Sequence, residues 1–207
     1  MANPKKSLKY IWLARHGESR GNTGEERDID PPLSEQGQQQ AARLSESLGH
    51  ITFDRIYVSP LKRTRQTLEM SGLAMNDVVF DSRIIEWRPE GAYEPYLPYE
   101  TLPDYGKPDA HSAWRLPFND RINAFADEVR LQEFDHVLVV THGGASIGLA
   151  DAFVTGTHDP PPVHLHYMTN TGVALLRLSA DGKECRLAIW NHTGHLGSLA
   201  SVVQAPL

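Results

Sequence analysis

Two short stretches of the 207-residue chain pair an imidazole with glycine directly after an apolar run: Arg15-His16-Gly17-Glu18-Ser19 and Thr141-His142-Gly143-Gly144. Histidine titrates near neutrality and can act as nucleophile, base or neutral hydrogen-bond donor. Glycine lets backbone approach a ligand closely, and a helix beginning there offers unpaired N–H groups to an anion. A third stretch, Ser59-Pro60-Leu61-Lys62-Arg63-Thr64-Arg65-Gln66-Thr67, adds guanidinium groups. Taken singly, each is ordinary: a histidine after a strand is commonly just hydrogen-bonded, Gly143-Gly144 is a turn, and Arg63 is a solvated helix charge. Together they describe a place where an oxyanion could be held between two imidazoles.

The surrounding pattern supplies elements that could bring them together. Tyr10-Ile11-Trp12-Leu13-Ala14, Ile56-Tyr57-Val58 and Val137-Leu138-Val139-Val140 are continuous apolar runs, as strands buried on both faces require. Between them lie segments of helical periodicity. Ser34 caps one that carries Ala41, Leu44 and Leu48 toward a stop at Gly49, with Glu35 in its first turn. Residues 60–71 form a basic helix opening on Pro60, 118–132 place Ile122, Phe125, Ala126 and Val129 on one stripe, and 143–153 form a small apolar helix. Val173 to Leu178 and Cys185 to Trp190 flank Asp181-Gly182, a hairpin expected at an antiparallel sheet edge. Alternating strands and helices define an α/β class, in which ligands bind beyond the carboxyl ends of the strands. Both His16 and His142 step off such ends.

Composition narrows the setting. With 40 % apolar and 22 % charged residues the chain is an ordinary globular one, and a single domain over residues 1–207 is expected. Its one cysteine, Cys185, cannot form an internal disulfide. A formal charge of −6 excludes a general nucleic-acid binder, so any anion must be held by local arginines. No run approaches the roughly 18 apolar residues of a membrane span. Lys5, Lys6 and Lys9 precede an apolar stretch too short for a signal peptide, so the expectation is a cytoplasmic protein without membrane attachment. From Trp87 to Pro117 prolines and tyrosines interrupt any regular element, and this segment is expected to be a lid or specificity insertion. Pro160-Pro161-Pro162 reads as a stiff connector.

The motifs resemble the histidine phosphatase superfamily, also called the phosphoglycerate mutase-like family. The likeness lies in Leu13-Ala14-Arg15-His16-Gly17-Glu18-Ser19 with Asn22, Leu33-Ser34-Glu35-Gln36-Gly37, Ser59-Pro60-Leu61-Lys62-Arg63 with Gln66-Thr67, Val140-Thr141-His142-Gly143-Gly144, and Asn191-His192-Thr193-Gly194-His195-Leu196. The resemblance implies a three-layer α/β/α sandwich around a mostly parallel sheet with an antiparallel edge strand. It implies His16 as a nucleophile that takes a phosphoryl group, and Arg15 and Arg63 as grips on phosphoryl oxygens. His142, Asn22 and the Gly143 N–H become further donors. Glu86 becomes the acid for the leaving oxygen, with Glu90 and Glu94 as lesser candidates, because Trp87-Arg88-Pro89-Glu90-Gly91 departs from the family's usual stretch there. No metal or other cofactor is implied, and the partner is a small phosphorylated substrate.

Within that family, hydrolysis of a phosphate monoester competes with cofactor-dependent mutase chemistry. Arg20-Gly21 stands before Asn22 where mutases usually carry tryptophan, and Glu86-Trp87-Arg88-Pro89 does not match their glutamate-arginine-tyrosine-glycine region. Both departures favour the phosphatase. Two readings of other classes are a metallohydrolase built on His164-Leu165-His166, which lacks a matching acidic set, and a catalytically idle phospho-ligand binder, which would not need a nucleophile. Arg88, Lys107, His111 and Arg115 are basic residues of the insertion that could meet a charged substrate. Substrate identity and oligomeric state are not written in the sequence.

Overall fold

The structure, a computed structural model, describes residues 8–28, 30–86, 117–155 and 165–200. Its frame is one sheet of six strands: β1 (Lys9–Arg15), β2 (Arg55–Val58), β3 (Val78–Phe80), β4 (His136–Thr141), β5 (Val173–Leu178) and β6 (Cys185–His192), in the order β3-β2-β4-β1-β5-β6. The first four run parallel to one another, while β5 lies antiparallel to β1 and β6 antiparallel to β5. The hairpin expected around Asp181-Gly182 therefore forms the antiparallel edge, and Gly182 takes the positive φ of 73° that the turn needs. The edge strand β3 escaped the sequence reading, since three residues are too few to show a period.

The helices are α1 (Arg20–Thr23), α2 (Glu35–Ala42), α3 (Leu44–Leu48), α4 (Lys62–Met70), α5 (Phe118–Leu131) and α6 (Gly143–Thr155). Ser34 caps α2 as expected, its Oγ accepting from Gly37 N at 3.0 Å. The continuous helix read from Ser34 to Gly49 is instead two. Arg43 N bonds back to Gln40 O, which tightens the turn and ends α2 while still delivering Leu44 and Leu48 to the core. The basic helix starts at Lys62 rather than Pro60, because Leu61 is held extended at ψ 146° with its side chain fully buried.

Strand alternation sends side chains to two cores. Ile11, Leu13, Val137, Val139, Ala174 and Leu176 pack with Ile122, Phe125 and Val129 of α5 and Ala145, Leu149 and Phe153 of α6. Trp12, Ala14, Ile56, Val58, Leu138 and Val140 pack on the other face with Leu44 and Leu48 of α3 and Leu68 of α4. The result is the expected three-layer arrangement. Central strands buried on both sides must be apolar throughout, which is why they read as unbroken runs.

Register sets the site. Arg15 of β1 lies opposite Thr141 of β4, and Val58 of β2 opposite Val140. The three neighbouring strands thus end level. His16 N bonds to Thr141 O at 2.9 Å and Ser59 N to Val140 O at 3.0 Å. The residues that follow the strands emerge side by side at one edge of the sheet.

Candidate active site

His16 and His142 meet at that edge with ring centroids 5.2 Å apart and planes inclined at 62°. His16 Nδ1 lies 2.6 Å from Gly17 O, a carbonyl that can only accept. Nδ1 therefore carries the proton and Nε2 keeps its lone pair. The backbone behind the ring is held from several sides. Thr171 N donates to Arg15 O and His16 O at 3.1 and 3.3 Å, and Asn170 Nδ2 donates to His16 O at 3.0 Å. In front, Gly17 N donates to Thr67 Oγ1 of α4 and Glu18 N to Gln40 Oε1 of α2. A Cβ on Gly17 would stand 2.5 Å from Gly37 O, so this loop and α2 can approach only as glycine against glycine.

Two buried guanidinium groups flank the rings. Arg15 donates through NH1 to Met168 O at 2.5 Å, while its Nε is buried with no hydrogen-bond partner. Arg63, in the first turn of α4, lies with NH1 3.7 Å from Asp30 Oδ1 and its side chain only 5 % exposed. Burial, then the charges of Arg63 and Arg15, drives the His16 pKa well below that of a free imidazole. Burial, then Arg63, His16, Arg121 and Arg15, does the same to His142. Burial also lowers Arg15, with Glu86 opposing the shift and Arg63 reinforcing it. Two imidazoles under the influence of two cations make a site whose electrostatics suit an anion.

Glu86 is brought to the same edge by its neighbours. Ile84 and Ile85 are fully buried, Thr141 Oγ1 donates to Ile84 O at 2.6 Å, and Arg121 of α5 donates to Arg83 O and Glu86 O at 2.5 and 3.1 Å. The Glu86 carboxylate then accepts from Gly144 N at 3.0 Å and Ala145 N at 3.1 Å, capping α6 where the helix dipole favours negative charge. Both glycines leave room for these neighbouring side chains. A Cβ on Gly144 would sit 2.5 Å from Glu86 Oε1, and one on Gly143 would enter the ring of Tyr167. Burial raises the Tyr167 pKa, as does Glu86, so it stays a neutral phenol beside Arg15 and the carboxylate.

Arg15, His16, Arg63, His142, Gly143 and Glu86 thus come together from four parts of the chain. Asn22 is exposed, and its Oδ1 accepts from Ser19 N and Ser19 Oγ, both at 3.0 Å, and from Asn170 Nδ2 at 3.5 Å. It sits at the rim, in contact with the network behind His16. Glu90, Glu94, the 87–116 part of the insertion with Arg88, Lys107, His111 and Arg115, the Pro160-Pro161-Pro162 connector and His164 lie outside the described residues. Among the described residues no group of three or more His, Cys, Asp or Glu could hold a metal ion. Also among them, no helix is long and apolar enough to cross a membrane. Ser59, Asp30, Arg121, Tyr167 and Asn170 escaped the sequence reading as site residues. Of these only Ser59 stood inside a recognised motif, and nothing local to Tyr167 or Asn170 marks them.

Comparison with known proteins agrees with this arrangement. A model of the histidine phosphatase superfamily (branch 1) matches residues 11–193. Phosphoserine phosphatase 1 of Hydrogenobacter thermophilus is 34 % identical over 150 residues, covering 64 % of this chain and 70 % of that protein. The probable phosphoglycerate mutase GpmB of Escherichia coli O1:K1 / APEC is 32 % identical over 156 residues, covering 66 % and 70 %. The crystal structure of a putative alpha-ribazole-5'-P phosphatase from Escherichia coli superposes with a TM-score of 0.66 at 21 % identity, covering 89 % of this chain and 97 % of the other. With the fold, the paired imidazoles and the family match in agreement, the chain belongs to branch 1 of the histidine phosphatase superfamily.

Proposed function

We propose that the protein hydrolyses small phosphate monoesters through a phosphohistidine on His16. The observation that supports this reading is an imidazole with its Nδ1 fixed on Gly17 O, set edge-on to a second imidazole 5.2 Å away, both kept neutral by burial and by the charges of Arg63 and Arg15. In the first half-reaction His16 Nε2 forms a bond to phosphorus, the ester P–O bond breaks, and the Glu86 carboxylate, having first taken a proton from solvent or from the substrate's own phosphate, passes it to the departing oxygen. In the second, water forms a P–O bond, the P–N bond breaks, and the water's proton returns to Glu86. Splitting one displacement in two lets a single pocket handle both leaving group and water. Arg15, Arg63, His142, the Gly143 N–H and Asn22 hold the phosphoryl oxygens, where a loose transition state is stabilised mainly by position and charge. Since two guanidinium groups already supply positive charge, this scheme uses no metal. The substrate is a small metabolite, and the setting is the cytoplasm.

The test is twofold. The protein incubated with a generic aryl phosphate in the presence of a chelator should release phosphate. Rapid acid-free quenching should show an alkali-stable, acid-labile phosphoryl group that His16→Gln does not form. Absence of phosphate release across a broad ester panel, with transfer between phosphoglycerates instead, would establish the mutase reading in its place.

A further inference from the structure

We propose that Ser59 is a positioning residue that fixes His142 in the Nδ1–H form, so that the ring presents an N–H donor to a phosphoryl oxygen. The tautomer follows from local hydrogen bonding; the identity of its acceptor rests on the phosphatase reading. Ser59 Oγ lies 2.7 Å from His142 Nε2, and both residues are fully buried. The main-chain groups of Ser59 are already engaged, its N–H with Val140 O and its carbonyl with Thr64 Oγ1. Its hydroxyl makes one hydrogen bond among the described residues, to that imidazole nitrogen. A buried hydroxyl needs an acceptor for its proton. If Nε2 carried the ring proton, the serine proton would have none. Ser59 therefore donates, Nε2 accepts, and the ring proton sits on Nδ1.

His142 Nδ1 is buried and has no hydrogen-bond partner. The main chain around it is fixed, since His142 O accepts from Ser146 N at 2.9 Å and Ser146 Oγ at 2.7 Å. The groups that act on the ring electrostatically are Arg63, His16, Arg121 and Arg15. No cationic group can accept a hydrogen bond, and the bare Nε2 of the neutral His16 ring makes none with His142 Nδ1. A buried N–H among cations calls for an anionic oxygen, which is what a bound phosphoryl group brings. Ser59 thereby explains why a serine precedes Pro60 at the end of β2: the strand ends there, and its first loop residue orients the ring from the next strand.

The experiment uses the full chain labelled with 15N-histidine. Ring nitrogen spectra of the wild type at neutral pH should show two buried rings with Nδ1 protonated and Nε2 bare, His16 and, identified by its loss in His142→Gln, His142 in a single tautomer whose Nδ1–H proton inorganic phosphate should shift. In Ser59→Ala that single pattern should give way to mixed tautomers, with kcat falling about 10- to 100-fold and KM changing less. This is smaller than the ~10²–10³ of deleting a transition-state donor outright, because the ring remains. Ser59→Thr, which keeps the hydroxyl, should restore the ring pattern. An Nε2–H wild-type ring overturns the proposal, as does an Nδ1–H signal that phosphate leaves unmoved. Because the ring spectra need no turnover, a protein with no phosphatase activity would still reveal whether Ser59 sets the tautomer.

Discussion

Replacing Glu86 separates two roles, because the same carboxylate caps α6 and, in the proposed reaction, serves as the acid for the leaving oxygen. Both of its oxygens accept backbone N–H groups, from Gly144 at 3.0 Å and Ala145 at 3.1 Å. Hydrogen bonds to a charged group contribute about 1.5–3 kcal/mol each. Glu86 is half-buried, so water partly replaces what Glu86→Ala removes, and the lower part of that range applies. The loss is then about 3–4 kcal/mol. At about 2–4 °C per kcal/mol for a chain of this size, Tm should fall by roughly 5–15 °C. Glu86→Gln keeps the volume and one acceptor oxygen, so it should lose about half as much. Chemistry is read with two substrates. An alkyl phosphate needs a proton on its departing oxygen, and Glu86→Gln should slow it by about 10²–10⁴-fold. A 4-nitrophenyl ester leaves as a stable anion and should slow by only about tenfold. Equal slowing of both esters would refute Glu86 as the acid, and an unchanged Tm in Glu86→Ala would refute the capping argument.

Gly143→Ala should fold yet lose activity by about 10²-fold, because its methyl group displaces the Tyr167 ring and with it the start of α6; circular dichroism and kcat/KM on an aryl phosphate check both halves. Stability should fall on acidification from pH 7 to 5.5. His16 and His142 have folded pKa values below the unfolded value near 6.5, so in this window the unfolded chain binds protons that the native chain refuses. Each contributes up to about 1.4 kcal/mol per pH unit, and His195, lowered by burial and by His192, acts in the same direction. Asp30, raised by burial, acts in the opposite one, and the three histidines outweigh it. A Tm that is flat or rises over that interval contradicts this sum. Phe125→Ala removes a fully buried ring that packs edge-on against Tyr57 at 5.0 Å, and should cost about 3–5 kcal/mol in urea unfolding.

Much of this molecule is written locally. Buried central strands demand unbroken apolar residues, so Ile11-Trp12-Leu13-Ala14 and Val137-Leu138-Val139-Val140 announce themselves, and glycine after histidine marks where backbone must approach closely. Arg15, His16, Arg63 and His142 were legible for a related reason: each stands at or just after the end of a strand or at the opening of a helix, inside a motif of distinctive residue types. Other features depend on contacts between distant segments, and no window of sequence contains them. The break at Arg43, the three-residue β3, and the level endings of β1, β4 and β2 are settled by packing and register. Asn22 was read as a phosphate donor; that Ser19 anchors its carbonyl oxygen is a contact that a list of motif residues does not reveal. Tyr167 over Gly143, Arg121 behind Glu86, and Ser59 against His142 are neighbours across 24, 35 and 83 residues of chain. Residue types state which chemistry is available. Which atom of an imidazole carries its proton is fixed only when strands from separate parts of the chain end side by side.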